Sequence, residues 1–467
     1  MNFKEKIYHS FPFWMQNFFV SLFGYYHYNR RFGGDFKLFY KEALARDSFS
    51  RSEWDEYQLK ELRALLVHAY ETSAYYKRLF NEHNLSLEFL ATIELEELDK
   101  LPILEKSVFR QLGNSEILSN KLEENGVYIN TSGSTGTPLR ILYSHRMQTK
   151  YLAIYERSVR NWAGLNMKNS RSVFGGRRIL KNGNSKGPYY RYNWVERQSY
   201  FSVYHISNNT VSEYVNSLNK LKPDYLEGYS SSIYFLCRFI QENELSAPKL
   251  KAVLGSTDKL TVEMRNLISE TFSCPVFDSY NGVDLCNLIS ECNEHSLHIV
   301  PDVGIVEVRN SEGELCKPGE VGELISTGLL NHDQPLIRYR IGDLVKLSEN
   351  QNCKCGRKMP IVDEIVGRVE DVIIGKDGRK MRRFNRIFIN LDSIIEGQVI
   401  QYKIGEIELK LVVHGTLSKS DIIDLNDRVK SQLGDISVKI NVVEKIERGA
   451  NGKFKSVLSF LEKELIL

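Results

Sequence analysis

The stretch "YINTSGSTGTPLRILYS" (residues 128–144) sets a run of Ser, Thr and Gly between two segments rich in apolar and β-favouring residues. The flanks are typical of strands, and the polar, glycine-containing run is typical of a loop between them. Hydroxyls and backbone N–H groups in such a loop can surround a polyphosphate, since glycine lets the backbone approach closely. The alternative is a solvent-exposed connection. The candidate phosphate loop consists of Ser132, Gly133, Ser134, Thr135, Gly136 and Thr137.

Composition restricts the class of protein. The chain has 467 residues, of which 42% are hydrophobic and 26% charged, as expected for a globular protein of several structural units. A net charge of +3 is too small to favour nucleic-acid binding. Seven cysteines in so long a chain do not form a disulfide framework, and their odd number favours a reducing compartment. We therefore expect a cytoplasmic protein that does not bind nucleic acid.

The N-terminal stretch "FPFWMQNFFVSLFGYYHY" (residues 11–28) is unusually aromatic. Gln16 and Asn17 interrupt its apolar run, so it resembles neither a signal peptide nor the ~18–20 apolar residues of a spanning helix. Trp14, Phe18 and Leu22 follow helical spacing and share one face. We expect this face to pack on its own domain. The alternative is a helix that lies on the inner face of a membrane.

The pattern along the chain predicts two domains. Residues 35–110 have helical periodicity. Farther along the chain, helical stretches alternate with short apolar runs, which indicates an α/β fold. These runs include "KAVLGS" (251–256), "CPVFDSY" (274–280), "GIVEV" (304–308) and "GELIST" (322–327). Near residue 366 the pattern changes to a hairpin, "VEDVIIGKDGRKM", with Asp377-Gly378 at its turn, and then to a small α+β unit. We predict a large α/β domain of residues 1–366, with a helical region at 1–110 and a core at 125–366. A small mobile α+β domain follows at 367–467.

Three further stretches contain candidate site residues. "PLIRYRIGDLV" (335–345) presents Asp343, whose carboxylate can bind a sugar diol through paired hydrogen bonds. "VGRVEDVII" (366–374) lies at the predicted hinge, and "RGANGKFKS" (448–456) places Lys453 in a glycine-flanked loop. Taken singly, each has an ordinary interpretation, as a turn aspartate or a solvated lysine.

Taken in order, these motifs resemble the adenylate-forming enzymes, which comprise acyl-CoA synthetases, luciferases and nonribosomal adenylation domains. "TSGSTGTP" resembles their phosphate loop, "RYRIGD" their ribose motif, "GRVED" their hinge and "RGANGK" their catalytic-lysine motif. Leu139, where most members have lysine, is similar to the phenylacetate-CoA ligase branch. "LKPDYLEGYSSSIYFLC" (221–237) resembles the CapK-type, capsular-polysaccharide members of that branch.

The resemblance implies ATP and Mg²⁺ as cofactors and assigns roles to single residues. Tyr280, in "YNGVD", would stack on adenine, and Asp284 would bind Mg²⁺ where the family has Glu. Arg368 would contact the nucleotide and Glu370 would be the hinge residue. Lys453 would bridge the substrate carboxylate and the α-phosphate.

The implied function is an AMP-forming carboxylate ligase that makes an acyl-adenylate and transfers the acyl group to CoA or another thiol, in surface polysaccharide biosynthesis. One alternative joins an adenylated uronic or amino acid to an amine as an amide. A second is an inactive homologue that binds nucleotide only, which the Asp284 departure favours.

Cysteine and histidine form a separate constellation. Cys292 and His298 have C-x5-H spacing, and Cys353 and Cys355 have C-x-C spacing, a ligand set that suits a closed, structural zinc site. Some phenylacetate-CoA-ligase-like proteins resemble the chain in this set. The alternatives are unconnected reduced cysteines, or His295 as the histidine ligand.

His205 lies toward the acyl pocket by resemblance. We expect His205 to be a structural histidine. Arg177 and Arg178 either bind an anionic substrate or phosphopantetheine, or belong to a solvated basic loop.

Overall fold

A computed structural model of the chain describes most of the residues. The described ranges are 3–112, 116–123, 126–130, 139–177, 179–180, 187–368, 373–377, 380–381, 385–388, 391, 393–413, 415–447 and 454–461. The predicted phosphate loop, Arg178, Glu370 and Lys453 lie outside these ranges, as does the side chain of Arg368.

Helices form the N-terminal region, as predicted. The longest, α4, begins at a capping box in which Ser50 and Glu53 satisfy each other's backbone amides, and it buries Trp54, Leu62 and Leu65. Its apolar residues recur at helical spacing, so one stripe faces the core. The helices of this region are α1 Phe3–Ser10, α2 Phe13–Phe32, α3 Phe36–Arg46, α4 Arg51–Thr72, α5 Ala74–Glu82, α6 Leu87–Thr92, a 3₁₀ turn at Leu95–Lys100, and α7 Lys106–Gln111.

A hairpin and a twelve-stranded sheet follow. The strands are β1 Val127–Asn130, β2 Arg140–Tyr143, β3 Arg171–Gly175, β4 Tyr190–Asn193, β5 Gln198–Ser202, β6 Tyr225–Tyr229, β7 Ala252–Ser256, β8 Val276–Tyr280, β9 Ile289–Glu291, β10 Leu297–Ile299, β11 Gly304–Arg309, β12 Val321–Gly328, β13 Tyr339–Leu347 and β14 Ile361–Arg368. The helices among them are α8 His145–Tyr155, which continues as a π-helical segment at Glu156–Asn161, then α9 Val211–Leu221, α10 Ser230–Glu242 and α11 Val262–Phe272.

The large sheet has a parallel half and an antiparallel half. Its order is β11-β12-β13-β14-β10-β9-β8-β7-β6-β3-β5-β4, and strands β8, β7, β6, β3 and β5 are parallel. Helices α9, α10 and α11 connect β5 to β6, β6 to β7 and β7 to β8. The α/β class is therefore confirmed. Strand–helix alternation does not extend to "GIVEV" and "GELIST", since β11 and β12 pair antiparallel with Ile305 opposite Thr327. The short connections after residue 289 cannot hold the helical crossover that parallel pairing requires.

The C-terminal residues form a second, smaller sheet with its own core. The order is β19-β18-β17-β20, and Val399, Leu409 and Leu425 are buried between this sheet and α13. The strands of the predicted hairpin are paired, since β15 is antiparallel to β16, while Gly378 of its predicted turn lies outside the described residues. The elements are β15 Ile373–Ile374, β16 Lys380–Met381, α12 Asn385–Phe388, β17 Ile394–Lys403, β18 Glu406–Val413, α13 Lys419–Leu433, β19 Ser437–Val442 and β20 Val457–Ser459.

The packing predicted for the N-terminal aromatic helix is wrong. Trp14, Phe18 and Leu22 share a face of α2, but that face is turned to solvent, with exposed fractions of 66%, 53% and 58%. The buried side of α2 is polar instead.

The polar side of α2 binds β4, the edge strand of the large sheet. Asn17 Oδ1 accepts a hydrogen bond from the Tyr192 amide at 3.0 Å, and Ser21 Oγ accepts one from the Trp194 amide at 3.1 Å. Gly24 allows this close approach, since a Cβ there would collide with Asn193. Backbone amides at the edge of a sheet need hydrogen-bond partners. The polar side of α2 supplies them, so it is this side that is buried.

Candidate nucleotide site and metal centre

The candidate nucleotide site lies where β8 ends, beside β13. Parallel strands such as β7 and β8 place the loops that follow them at one edge of a sheet, where ligands of α/β proteins commonly bind. The hairpin of β1 and β2 flanks the predicted phosphate loop, as its sequence predicted. Leu142 in β2 donates its amide to Gln334 Oε1 at 2.7 Å, so the hairpin is fastened to the segment that leads into β13.

Two predicted nucleotide residues are in direct contact. Tyr280, the last residue of β8, donates its hydroxyl to Asp343 Oδ2 at 2.5 Å. Asp343 is in turn the register partner of Arg368 across β13 and β14. Three predicted nucleotide residues thus meet in one place, although they come from stretches that are far apart in the sequence. They are the residues predicted for adenine, for ribose and for a further nucleotide contact.

Asp284 lies four positions after Tyr280, in a loop held by two tyrosines. Tyr143 donates its hydroxyl to the Val283 carbonyl, and the Asn281 amide donates to the Tyr151 hydroxyl at 2.6 Å. These contacts fix the loop at two positions just before Asp284. Tyr143 lies in the strand that follows the predicted phosphate loop, but the sequence carried no signal of this role for either tyrosine.

The charge environment of Asp284 involves a lysine that sequence reasoning missed. Burial raises the pKa of Asp284, the carboxylate of Asp343 raises it further, and Lys106 lowers it. Lys106 begins α7 and donates its ammonium group to the Ile341 carbonyl, close to Asp343. Carboxylate oxygens are ligands that Mg²⁺ prefers, so the charged form of Asp284 suits the metal role that the sequence predicted for it. A lysine at the start of a short helix carries no sequence signal of this role.

The predicted residues of the acyl side are farther along the sheet. The His205 ring stacks on Tyr189 and its Nδ1 lies 2.7 Å from Ser202 Oγ, in a buried position that fits a structural histidine. The Arg177 guanidinium covers the ring of the buried Tyr200 at 4.0 Å from its centroid and is itself exposed.

The four predicted zinc ligands converge. One donor atom from each of Cys292, His298, Cys353 and Cys355 lies within 4.8 Å of the other three. Cys292 Sγ is 3.7 Å from Cys353 Sγ, and Cys355 Sγ is 3.4 Å from His298 Nε2. The cluster therefore combines three cysteine sulfurs with one imidazole nitrogen. This is the donor set of a structural zinc site.

The surroundings of His298 favour metal binding. Burial lowers the pKa of His298 to about 4, which keeps the imidazole neutral, as a metal ligand must be. Its Nδ1 lies 3.4 Å from the Met359 carbonyl, the outer contact that orients a metal-binding histidine. His295, the rival ligand, stacks on Phe277 and lies 3.5 Å from Glu291, outside the cluster.

Comparison with known proteins confirms the resemblance. Residues 373–459 match the family model of the CapK C-terminal domain. Protein CapK of Staphylococcus aureus is 27% identical over 96% of this chain and 97% of its own length. Phenylacetate-coenzyme A ligase of Pseudomonas putida is 26% identical over 68% of this chain and 71% of its own.

Solved structures show the same fold. A 2-hydroxyisobutyryl-CoA ligase in its postadenylation state superposes with a TM-score of 0.69 and 17% identity, over 90% of this chain and 92% of that one. The same ligase in its thioesterification state gives a TM-score of 0.56, with 18% identity over 89% and 91% of the two chains. The fold is that of the adenylate-forming CoA ligases, with a C-terminal domain.

Proposed function

We propose that this chain, a relative of Protein CapK and of the phenylacetate-CoA ligases, is an ATP-dependent, AMP-forming ligase. It activates a carboxylic acid with Mg-ATP as an acyl-adenylate and transfers the acyl group to CoA or another thiol. Its role in surface polysaccharide biosynthesis is proposed on the similarity to Protein CapK alone.

The observation that carries the proposal is the contact between Tyr280 and Asp343 beside Asp284. Asp343 is 63 positions away from Tyr280 in the sequence, and each of the three residues was assigned to a different part of Mg-ATP. Their convergence at one edge of the sheet gives a single place for base, sugar and metal-bound phosphates.

The proposed roles follow from the side chains. The Tyr280 ring stacks on adenine, Asp343 accepts hydrogen bonds from the ribose hydroxyls, and Asp284 holds Mg²⁺. When bound, Mg²⁺ neutralises charge on the phosphates. Lys106, next to these carboxylates, offsets their repulsion before ATP arrives.

The chemistry is an in-line displacement followed by acyl transfer. A carboxylate oxygen of the substrate attacks the α-phosphorus, the bond to the β-phosphate oxygen breaks, and pyrophosphate leaves. Lys453 bridges the two anionic groups and positions them against their mutual repulsion. A thiol sulfur then attacks the acyl carbon and AMP leaves. We propose that residues 367–467 turn about Glu370 between the two steps.

We propose zinc, in a structural role, for the four-ligand cluster. The ligand set is complete without an open position for substrate, so zinc there would hold β9 and β10 to the segment before β14.

Pyrophosphate release tests the proposed activity. We would measure release with Mg-ATP over a panel of aryl acids, amino acids and sugar acids, and compare Lys453→Ala with Lys455→Ala as the matched control. Release with one class of acid should fall by about 10²–10³ in Lys453→Ala and stay near normal in the control.

The acceptor is tested in the same assay, with CoA, an amino acid or an amino sugar added and the product mass determined. An amide in place of a thioester would contradict the thiol and support the amide-forming alternative. ATP binding without pyrophosphate release from any acid would contradict the activity and favour the inactive homologue.

A further inference from the structure

Helix α2 has an exposed aromatic face that its own fold does not use. Besides Trp14, Phe18 and Leu22, this face includes Phe23 and Tyr26, each 64% exposed. Clusters of large apolar side chains on a protein surface mark a contact with another apolar phase or molecule. The polar side of α2 already forms hydrogen bonds with β4 and the residue after it. Rotating the helix to bury its aromatic face would break those hydrogen bonds.

A cavity of about 700 Å³ opens beside this face. Its apolar wall comes from α1 and α2, through residues that include Tyr8, Phe11 and Phe19. The wall is wide enough and apolar enough to receive hydrocarbon, since its aromatic side chains exclude water from one side.

The same cavity is positively charged. Among the described lining residues the arginines are Arg31, Arg177 and Arg191, and the carboxylate is Glu196. Glu196 is already engaged, at 3.4 Å from Arg171, 2.9 Å from the Asn193 side-chain amide and 3.7 Å from Arg31. This one carboxylate is outnumbered by the three guanidinium groups of the described lining. The lining as a whole therefore favours an anion.

The arginines also affect the pKa of His27, which lines the same cavity. Burial lowers the pKa of His27, and Arg31, Arg30 and Arg177 lower it further. The field at this surface is thus positive enough to oppose a further positive charge, and it complements a negatively charged group.

We infer that this face of α2 docks on a bilayer that contains anionic phospholipids, with α2 lying in the interface. Trp14 and Tyr26 belong to the residue types that concentrate at membrane–water boundaries. Lipid phosphates meet Arg31 and the exposed Arg177 at the cavity, and hydrocarbon covers the apolar wall. Within the described residues no helix has the length and hydropathy to cross a bilayer, so the contact is one of surface docking.

Vesicle binding tests this inference independently of enzyme activity. The full chain is sedimented with vesicles of phosphatidylcholine alone and of phosphatidylcholine mixed with phosphatidylglycerol. The test variant is the triple change Trp14→Ser, Phe18→Ser, Leu22→Ser. These side chains are largely exposed, so the folded state should tolerate the change. A matched control changes three comparably exposed residues elsewhere, Val262→Ser, Ile423→Ser and Phe460→Ser.

We expect binding to the mixed vesicles to be at least about tenfold tighter than to neutral ones, and to weaken with salt. The triple variant should lose at least about tenfold of this binding, and Arg31→Gln should lose only the preference for anionic lipid. The control should bind normally.

Two results would overturn the inference. One is vesicle binding that is absent in the full chain or unchanged in the triple variant. The other is a dimer in solution that the triple variant converts to monomer without any vesicle binding, which would assign the face to a second copy of the chain. Pyrophosphate release is measured alongside, so that a failure of the proposed activity is not mistaken for a failure of docking.

Discussion

The Tyr280 hydroxyl and the Asp343 carboxylate share a hydrogen bond of 2.5 Å, so the residue assigned to adenine also orients the residue assigned to ribose. A carboxylate held in this way presents its oxygens in a fixed direction before the nucleotide arrives. The proposed affinity for ATP therefore depends on a phenol that need not touch the ribose.

Tyr280→Phe keeps the aromatic ring and removes the hydrogen bond. A hydrogen bond to a charged group contributes about 1.5–3 kcal/mol, so we expect the KM for ATP to rise about tenfold or more with a smaller change in kcat. Steady-state kinetics of pyrophosphate release checks this. A fall in KM would mean that the Tyr280 hydroxyl competes with ribose for Asp343.

Phe454→Ala should slow adenylation. Phe454 follows Lys453 directly, and its ring packs edge-on against Phe235 of α10, with 5.8 Å between centroids. Such a pair is worth about 0.5–1.5 kcal/mol beyond its buried area, so we expect about a three- to tenfold slower first half-reaction. Phe460→Ala, in the same small sheet, is the matched control. Single-turnover rates for the two half-reactions would separate this effect from one on acyl transfer, which should change less.

Cys353→Ser with Cys355→Ser should abolish zinc binding and lower the Tm. Both sulfurs lie in the four-ligand cluster, and metal binding to the folded state adds to the free energy of unfolding. Elemental analysis of the purified chain and thermal unfolding check the prediction. Cys316→Ser removes a cysteine outside the cluster and should change neither quantity. Equal zinc content in all three proteins would contradict the assignment.

Asp302→Asn should be strongly destabilising. The fully buried Asp302 receives hydrogen bonds of 3.0 Å from both Arg157 and Arg46, and the change removes the paired carboxylate of Arg46 and leaves Arg157 with Asp47 alone, at 3.3 Å. Breaking such a buried pair costs about 3–5 kcal/mol. Asp363→Asn removes the exposed pair with Lys346 and should cost about 0–1 kcal/mol. Urea unfolding compares the two variants.

Asp224→Asn should produce a pH-dependent loss of stability. Burial opposes the charged form of Asp224, but hydrogen bonds from Lys251 and Ser170 outweigh it and lower its pKa from 3.8 to about 2. The native state therefore holds the carboxylate more firmly in its charged form than the unfolded state does. This contribution is complete above the unfolded pKa and disappears as the pH falls through about 4 toward 2.

Because Asp224 is partly exposed, solvent screening limits its effect to about 1 kcal/mol at neutral pH. Urea unfolding between about pH 7 and pH 3 should show wild type and Asp224→Asn converging as the pH falls. Asp435→Asn, at a largely exposed site, should follow wild type throughout. A difference that persists at low pH would assign the effect to packing rather than charge.

The sequence predicted the fold class and several site contacts because the signals were local. Helical spacing placed α4, β-favouring runs placed β7 and β8, and the resemblance assigned Tyr280 to adenine and Asp343 to ribose, two residues that the fold brings into contact. The spacing of Cys292, His298, Cys353 and Cys355 predicted a convergence that the fold provides.

Other features depended on contacts between distant segments and had no local signal. The orientation of α2 is decided by β4, far along the chain, so the period of Trp14, Phe18 and Leu22 predicted a helix but not its buried side. Lys106 reaches the nucleotide site only because α7 packs near β13. The roles of Glu370 and Lys453 and of the phosphate loop stay predictions.

The contact of α2 with β4 also protects the edge of the large sheet against aggregation. An open edge strand is a template on which a second chain can add its own strand, and such growth leads to aggregates. Asn17 and Ser21 occupy the amides of Tyr192 and Trp194 that a foreign strand would need. Removing residues 1–32 would eliminate the exposed aromatic face of α2, but it would also leave the edge strand β4 unpaired. We therefore expect the shortened chain to aggregate more readily.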